Sequence, residues 1–167
     1  MQIGILSDSH GDAAITARAV ALLESNGAER LFHCGDICSE LVLDELAGHH
    51  CAFVWGNCDA PSPVLRRYVE NLGLRWPDGP LKFELDGKRL AVFHGHEPGF
   101  RQAVAEGGFD YIFHGHTHHY ADERANGCRV INPGALYRAR VKTVAIVSLD
   151  TDEVRFLRVD SGEELQP

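Results

Sequence analysis

The chain has 167 residues, 44% hydrophobic and 24% charged, the makeup of a folded globular protein with a core of its own. Its formal net charge of -8 argues against a protein built to coat long nucleic acid or an anionic membrane. No apolar run approaches the roughly 20 residues of a membrane span. The start, Met1-Gln2-Ile3-Gly4-Ile5-Leu6, reads as a first core strand and lacks the basic head and cleavage site of a signal peptide. The five cysteines, Cys34, Cys38, Cys51, Cys58 and Cys128, are odd in number and scattered. That excludes a disulfide framework as the organising device and makes a reducing cytoplasm the expected location. Cys34 and Cys38 have a zinc-compatible spacing, but no second thiolate pair follows them.

In chain order, Ile3 to Leu6 ends in Ser7-Asp8-Ser9-His10-Gly11-Asp12. Asp12 is placed to cap a helix whose inner face carries Ile15, Ala19, Leu22 and Leu23, with Asn26-Gly27 as its stop. Leu31 to Cys34 is a second strand with Gly35-Asp36 at its tip. Ser39 caps a second helix carrying Val42, Leu43 and Leu46 and ended by Gly48. Cys51 to Trp55 is a third strand, followed by Gly56-Asn57-Cys58-Asp59. This rhythm predicts a parallel sheet with right-handed crossovers.

Residues 60–80 hold four of the seven prolines, and read as either a lid with a short helix or a plain connection. Asp86-Gly87 signals a hairpin between Leu81–Leu85 and Arg89–Phe93, and the second of these strands ends in His94-Gly95-His96. Phe100, Ala103 and Val104 suggest a short helix stopped by Gly107-Gly108. Tyr111 to His114 is a buried strand that breaks at Gly115, so that His116 and His118 are expected to leave its tip in one direction. Asn126-Gly127 marks another hairpin, Val130-Ile131 leads into Asn132-Pro133-Gly134-Ala135, and Thr143–Leu149 with Glu153–Val159 makes a third. The polar tail from Ser161 is expected to fray. The second half thus reads as mostly antiparallel. With no repeat or linker, residues 1–167 are expected to form one domain of two mixed sheets packed face to face with helices outside.

Asp8 and His10, Asp36, Asn57, His94, and His116 with His118 each fall just beyond the C-terminal end of an apolar strand. In open α/β sheets that edge is where ligands bind. Asp8 and His10, two apart in a segment expected to be extended, should point the same way. Two carboxylates, one amide and four imidazoles suit Mn²⁺, Fe, Zn²⁺ or Ni²⁺. Seven such donors exceed what one open catalytic ion needs. With a shared carboxylate they make two sites, and two ions about 3.5–4 Å apart are the clamp for in-line displacement at phosphorus. Two divalent ions, two carboxylates and one bridging hydroxide leave one net positive charge, a cationic pocket in an acidic protein.

Taken as an ordered set, Asp8-Ser9-His10, Gly35-Asp36, Gly56-Asn57, His94-Gly95-His96, Gly115-His116-Thr117-His118 and Asn132-Pro133-Gly134 resemble the signature of the calcineurin-like metallophosphoesterases, most nearly the small prokaryotic YfcE-type phosphodiesterases. The resemblance implies a four-layer α/β/β/α sandwich and a dinuclear centre, manganese being the first expectation. It assigns Asp8, His10 and His118 to one ion, Asn57, His94 and His116 to the other, and Asp36 to both. The expected activity is hydrolysis of small phosphate diesters by a metal-bridging hydroxide attacking phosphorus in line. A phosphomonoesterase or nuclease is the alternative. So is a binding module, since one eukaryotic branch of the fold is a retromer scaffold subunit with a degraded metal set. Many family members place histidine after the asparagine for leaving-group protonation; Cys58 stands there, so His96 or metal-bound water must supply the proton. Serine often follows the Asn-Pro-Gly; Ala135 stands there.

Other histidines read blandly: His33 and His114 as supporting or core groups, His49, His50 and His119 as surface groups. His96 is divided between substrate pocket and packing. Arg66, Arg67, Arg138 and Arg140 are either substrate grips or solvated charge. Oligomeric state does not follow from the sequence.

Overall fold

The computed structural model describes residues 1–166, which form eleven strands and four helices. The first sheet is built on β1 (Gln2–Leu6), β2 (Arg30–His33) and β3 (Cys51–Phe53), joined through α1 (Ala13–Ser25) and α2 (Glu40–Leu46). β1 pairs parallel with β2, and β2 with β3, as expected from the strand–helix alternation. Asp12 caps α1 by accepting the Ile15 N–H at 3.1 Å, and Ser39 caps α2 through the Leu41 N–H. Such a cap is worth about 1 kcal/mol. Thr16 and Val20, rather than Leu22, complete the buried face of α1 beside Ile15, Ala19 and Leu23.

Residues 60–80 contain a short helix, α3 (Pro63–Asn71), started by Ser62. Val69 and Leu74 bury themselves in the cluster that also holds Phe53. The segment is a packed connection by that measure. The second sheet follows: β4 (Leu81–Leu85), β5 (Lys88–Val92), α4 (Pro98–Glu106), β6 (Tyr111–Phe113), β7 (Tyr120–Ala125) and β8 (Cys128–Pro133). The turns at Asp86-Gly87 and Asn126-Gly127 have positive φ at both residues, the backbone that matches strand twist in a tight hairpin. β9 (Thr143–Ser148) and β10 (Glu153–Arg158) return to the first sheet.

Two expectations need correction. The second sheet runs β4-β5-β6-β8-β7, and β5, β6 and β8 are mutually parallel; only its edges are antiparallel. Hairpins are visible in a sequence as turns, whereas the α4 crossover that makes β5 and β6 parallel is short and weakly patterned. The tail does not fray at once either. β11 (Glu164–Leu165) pairs with the outer strand β10, and Leu165 packs against the cluster between the sheets.

Strand alternation explains the layers. Leu6, Leu31, Phe53 and Ile146 face α1, α2 and α3. Ile3, Ile5, Phe32, Leu90, Val92, Phe113 and Val147 fill the space between the sheets. Ala91, Phe93, Ile112 and Val130 face away from the first sheet, with Ala103 of α4 packed on them. The architecture is the expected helix–sheet–sheet–helix sandwich. Its consequence is that the C-terminal tips of β1, β2, β3, β5 and β6 meet on one edge.

Candidate metal centre

The loops after β1 and β2 run side by side and keep bonding after the strands end. Asp8 N–H donates to Gly35 O at 3.0 Å, His10 N–H to Asp36 O at 2.8 Å, and Gly11 N–H to Ile37 O at 2.9 Å. The segment is not extended, contrary to the alternation argument. Asp8, His10 and Asp36 all have positive φ, of 55°, 43° and 56°, as do His116 and His118 at 69° and 60°. Non-glycine residues seldom adopt this region, and clusters of them mark functional sites. The left-handed turns, not strand alternation, aim Asp8 and His10 at a common point.

At one end, Asp8 Oδ1 lies 3.1 Å from His118 Nε2 and 3.9 Å from His10 Nε2, and the two imidazole nitrogens are 3.4 Å apart. Asp8 is fully buried. Its Oδ2 accepts the Ser7 hydroxyl at 2.6 Å and the His116 N–H at 3.1 Å, but its Oδ1 has no hydrogen-bond partner. A buried carboxylate oxygen without a donor is costly unless a cation completes it.

Asp36 sits between this end and the next. Its Oδ2 is 3.4 Å from His10 Nε2 and 3.4 Å from His94 Nε2, while Oδ1 accepts the Cys58 N–H at 2.8 Å. Burial by itself would raise this carboxyl, yet the neighbouring His94 imidazole and the Cys58 N–H hold it well below the usual range. Gly56 is required here, because a Cβ at that position would land on the Asp36 carboxylate.

At the other end His94 is fully buried, and its Nδ1–H donates to Cys34 O at 2.8 Å. That bond turns the Nε2 lone pair toward Asn57 Oδ1, 3.0 Å away, and toward Asp36. Three acceptors converge, so a proton or a metal cation must lie among them. Burial lowers the His94 pKa, but Asp36 and the Cys34 carbonyl outweigh it and the net direction is upward. The His116 ring is 5.0 Å from that of His94, and burial together with the His94 charge lowers its pKa. His116 and His118 therefore leave β6 in different directions, one toward each end, and not together as expected. Gly115 permits this: a Cβ there would strike the Ser7 hydroxyl and Asp8.

The seven expected donors, Asp8, His10, Asp36, Asn57, His94, His116 and His118, all reach this edge. Two groups of their atoms lie close enough to share a cation, Asp8–His10–His118 and Asp8–Asp36–His94, and a third adds the Cys58 sulfur to His10 and Asp36. His96 is exposed at the rim, its ring 5.3 Å from that of His94 and 6.1 Å from that of His116. Arg66 is paired with Glu70, and Arg138 lies over the Tyr137 ring, which itself flanks His10.

The groups that support the donors are partly legible in the sequence. His33 is fully buried; it accepts the Gly35 N–H and reaches Ser9 Oγ at 2.8 Å. Burial pushes its pKa down to about 3, and that of His114 to about 4. Both are neutral struts. Asp59 accepts the Cys38 and Gly56 N–H groups, each at 2.7 Å, although burial raises its pKa. Glu97 accepts the His94 and Gly95 N–H groups at 2.9 and 2.7 Å. Asn132 donates to Gly115 O and to Thr117 Oγ1, both at 2.9 Å. Of these only His33, His114 and Asn132 were singled out by pattern. A loop carboxylate that folds back on backbone N–H groups leaves no periodic trace.

The calcineurin-like phosphoesterase superfamily domain matches residues 1–153. Phosphodiesterase MJ0936 of Methanocaldococcus jannaschii is 27% identical over 161 residues, spanning 93% of this chain and 97% of its own. A solved archaeal phosphodiesterase superposes with a TM-score of 0.83 at 26% identity, covering 95% of this chain and 99% of the other. The Escherichia coli phosphoesterase YfcE shares the fold with a TM-score of 0.78 at 22% identity, covering 99% and 97%. Vps29 of Entamoeba histolytica, solved with Zn²⁺, shares the fold as well, with a TM-score of 0.70 at 20% identity over 99% and 96%. The matched stretch includes every strand tip described above, and the chain belongs to the calcineurin-like phosphoesterase superfamily.

Proposed function

We propose that this protein is a metal-dependent phosphodiesterase of small phosphate diesters, working with two divalent ions. Asp8, His10 and His118 hold the first ion, Asn57, His94 and His116 the second, and Asp36 both. The observation that carries this reading is the position of Asp36 Oδ2, 3.4 Å from an imidazole of each set, beside a buried Asp8 oxygen that lacks a donor. Manganese is the first choice, and the same oxygen and nitrogen donors fit iron, zinc or nickel.

When bound, such a pair of ions supplies an acidified water and charge neutralisation for in-line displacement at phosphorus. The chain's own residues do the rest. Asp36 and Asp8 set the net charge of the pocket. Ser7, Cys58 and His116 fix those carboxylates through hydrogen bonds, so little reorganisation is needed when charge develops. Asn57, exposed at the mouth, has an amide that can turn toward a phosphate oxygen. His96 stands where an imidazole can hand a proton to the departing oxygen. The -8 charge of the chain favours small diesters over long nucleic acid. No helix among the described residues is long and apolar enough to cross a membrane. The odd, scattered and free cysteines support the further proposal of one domain in a reducing cytoplasm.

The test is a substrate panel on metal-stripped protein with and without added Mn²⁺: an aryl phosphate diester, an aryl phosphate monoester, and single-stranded nucleic acid. Metal-dependent turnover with the diester preferred is the expected result. Preference for the monoester or nucleic acid would move the assignment to those classes. No turnover of any of them with metal bound would favour a binding role.

A further inference from the structure

Cys58 enters the proposed mechanism only through its backbone N–H, and its thiol is used by neither that mechanism nor the seven-donor scheme. Its N–H is tied to Asp36 Oδ1 at 2.8 Å, which fixes the backbone beside the shared carboxylate. Its thiol accepts from Asn57 Nδ2 at 3.4 Å. The sulfur, a His10 nitrogen and an Asp36 carboxylate oxygen all lie within 4.8 Å of one another. Independently, Asp8 Oδ1, fully buried and without a donor, faces His10 Nε2 from 3.9 Å. The Asp8–His10–His118 and His10–Asp36–Cys58 groups share His10, and the unpaired Asp8 oxygen calls for a cation beside that imidazole. Cys38 differs: its sulfur lies 3.9 Å from His10 Nδ1, the nitrogen turned away from Asp8 and Asp36, and 3.6 Å from the Cys58 carbonyl.

We infer that Cys58 is an eighth metal ligand, a thiolate that joins His10 and Asp36 on the first ion. The inference rests on the two-ion reading above. As the metal–sulfur bond forms, the thiol proton leaves to solvent. Adding one soft ligand to hard oxygen and nitrogen donors shifts preference toward zinc, cobalt and cadmium and away from manganese. Cys58 would then set which metal the centre selects, and Cys38 would only orient His10.

Cobalt substitution tests this on the full-length protein, because a thiolate on Co²⁺ gives a near-ultraviolet charge-transfer band that oxygen and nitrogen donors do not. The band is expected in the wild type and in Cys38→Ser, and should vanish in Cys58→Ser while bound cobalt stays at two per chain. Competition between Cd²⁺ and Mn²⁺ should show the Cd²⁺ preference falling about tenfold or more in Cys58→Ser. Two bound cobalt ions without the band, or a band that survives Cys58→Ser, would overturn the assignment. Cobalt below two per chain in the wild type would overturn the two-ion reading instead, and the band would still decide Cys58. Since Cys58 is exposed, its replacement does not threaten the fold.

Discussion

The two ends of the centre are built differently. The Asp8 end has a fully buried carboxylate, and its two imidazoles stand 3.4 Å apart. The Asn57 end is anchored by one buried imidazole, His94, while Asn57 and His116 are exposed and carried on loop tips. A preformed set of donors binds with less ordering entropy than one that must gather. On the two-ion proposal, the ion at Asp8 should bind more tightly than the one where substrate enters, and the latter should exchange faster.

Asp36 joins the two ends, so its loss should break the comparison most severely. Asp36→Asn removes the shared charge, and kcat/KM for an aryl diester should fall on the order of a thousandfold. Activity within a few-fold of wild type would show that the ends do not share a carboxylate. A sharper contrast comes from one change at each end. Asp8→Asn should bring bound metal down toward one per chain, whereas Asn57→Ala should leave two and weaken the second ion roughly 10–100-fold. Elemental analysis across a range of Mn²⁺ concentrations distinguishes them, and equal losses in both variants would erase the asymmetry.

The smallest expected effect concerns the struts beneath the ends. His33 is buried and His114 half-buried, and both are neutral, with pKa values pushed down to about 3 and about 4, against about 6.5 in an unfolded chain. The unfolded state therefore binds more protons than the folded one below pH 6.5. Their contribution is complete above that pH and is lost progressively as pH falls toward 3–4, at about 1.4 kcal/mol per pH unit for each. His33→Gln should flatten the pH dependence of denaturant stability in the metal-free protein by one such increment between pH 6 and 4. An unchanged slope would mean that His33 is already charged when folded.

The sequence was most legible where chemistry followed an apolar run. Asp8, Asp36, Asn57, His94, His116 and His118 each sit one or a few residues past a strand, and strand tips on one sheet edge meet. Legibility failed where long-range pairing decides the outcome. The helix between β5 and β6 is legible, but that the two strands and β8 run parallel, and so bring His94 and His116 to the edge holding Asp8, is decided by long-range pairing. Backbone handedness was equally hidden. Asp8 and His10 converge through left-handed turns held by Gly35 and Asp36 carbonyls, a tertiary effect that overrides the period-two rule. A carboxylate accepting backbone N–H groups, as Asp59 and Glu97 do, is indistinguishable in sequence from a solvated charge.

The most direct test of the account is a calorimetric titration of the metal-free protein with Mn²⁺. Two binding events per chain with clearly different affinities are predicted, and the weaker one should be the one that Asn57→Ala weakens further. A single event saturating at one ion, or two events of equal affinity that Asn57→Ala leaves untouched, would contradict the two-ended centre.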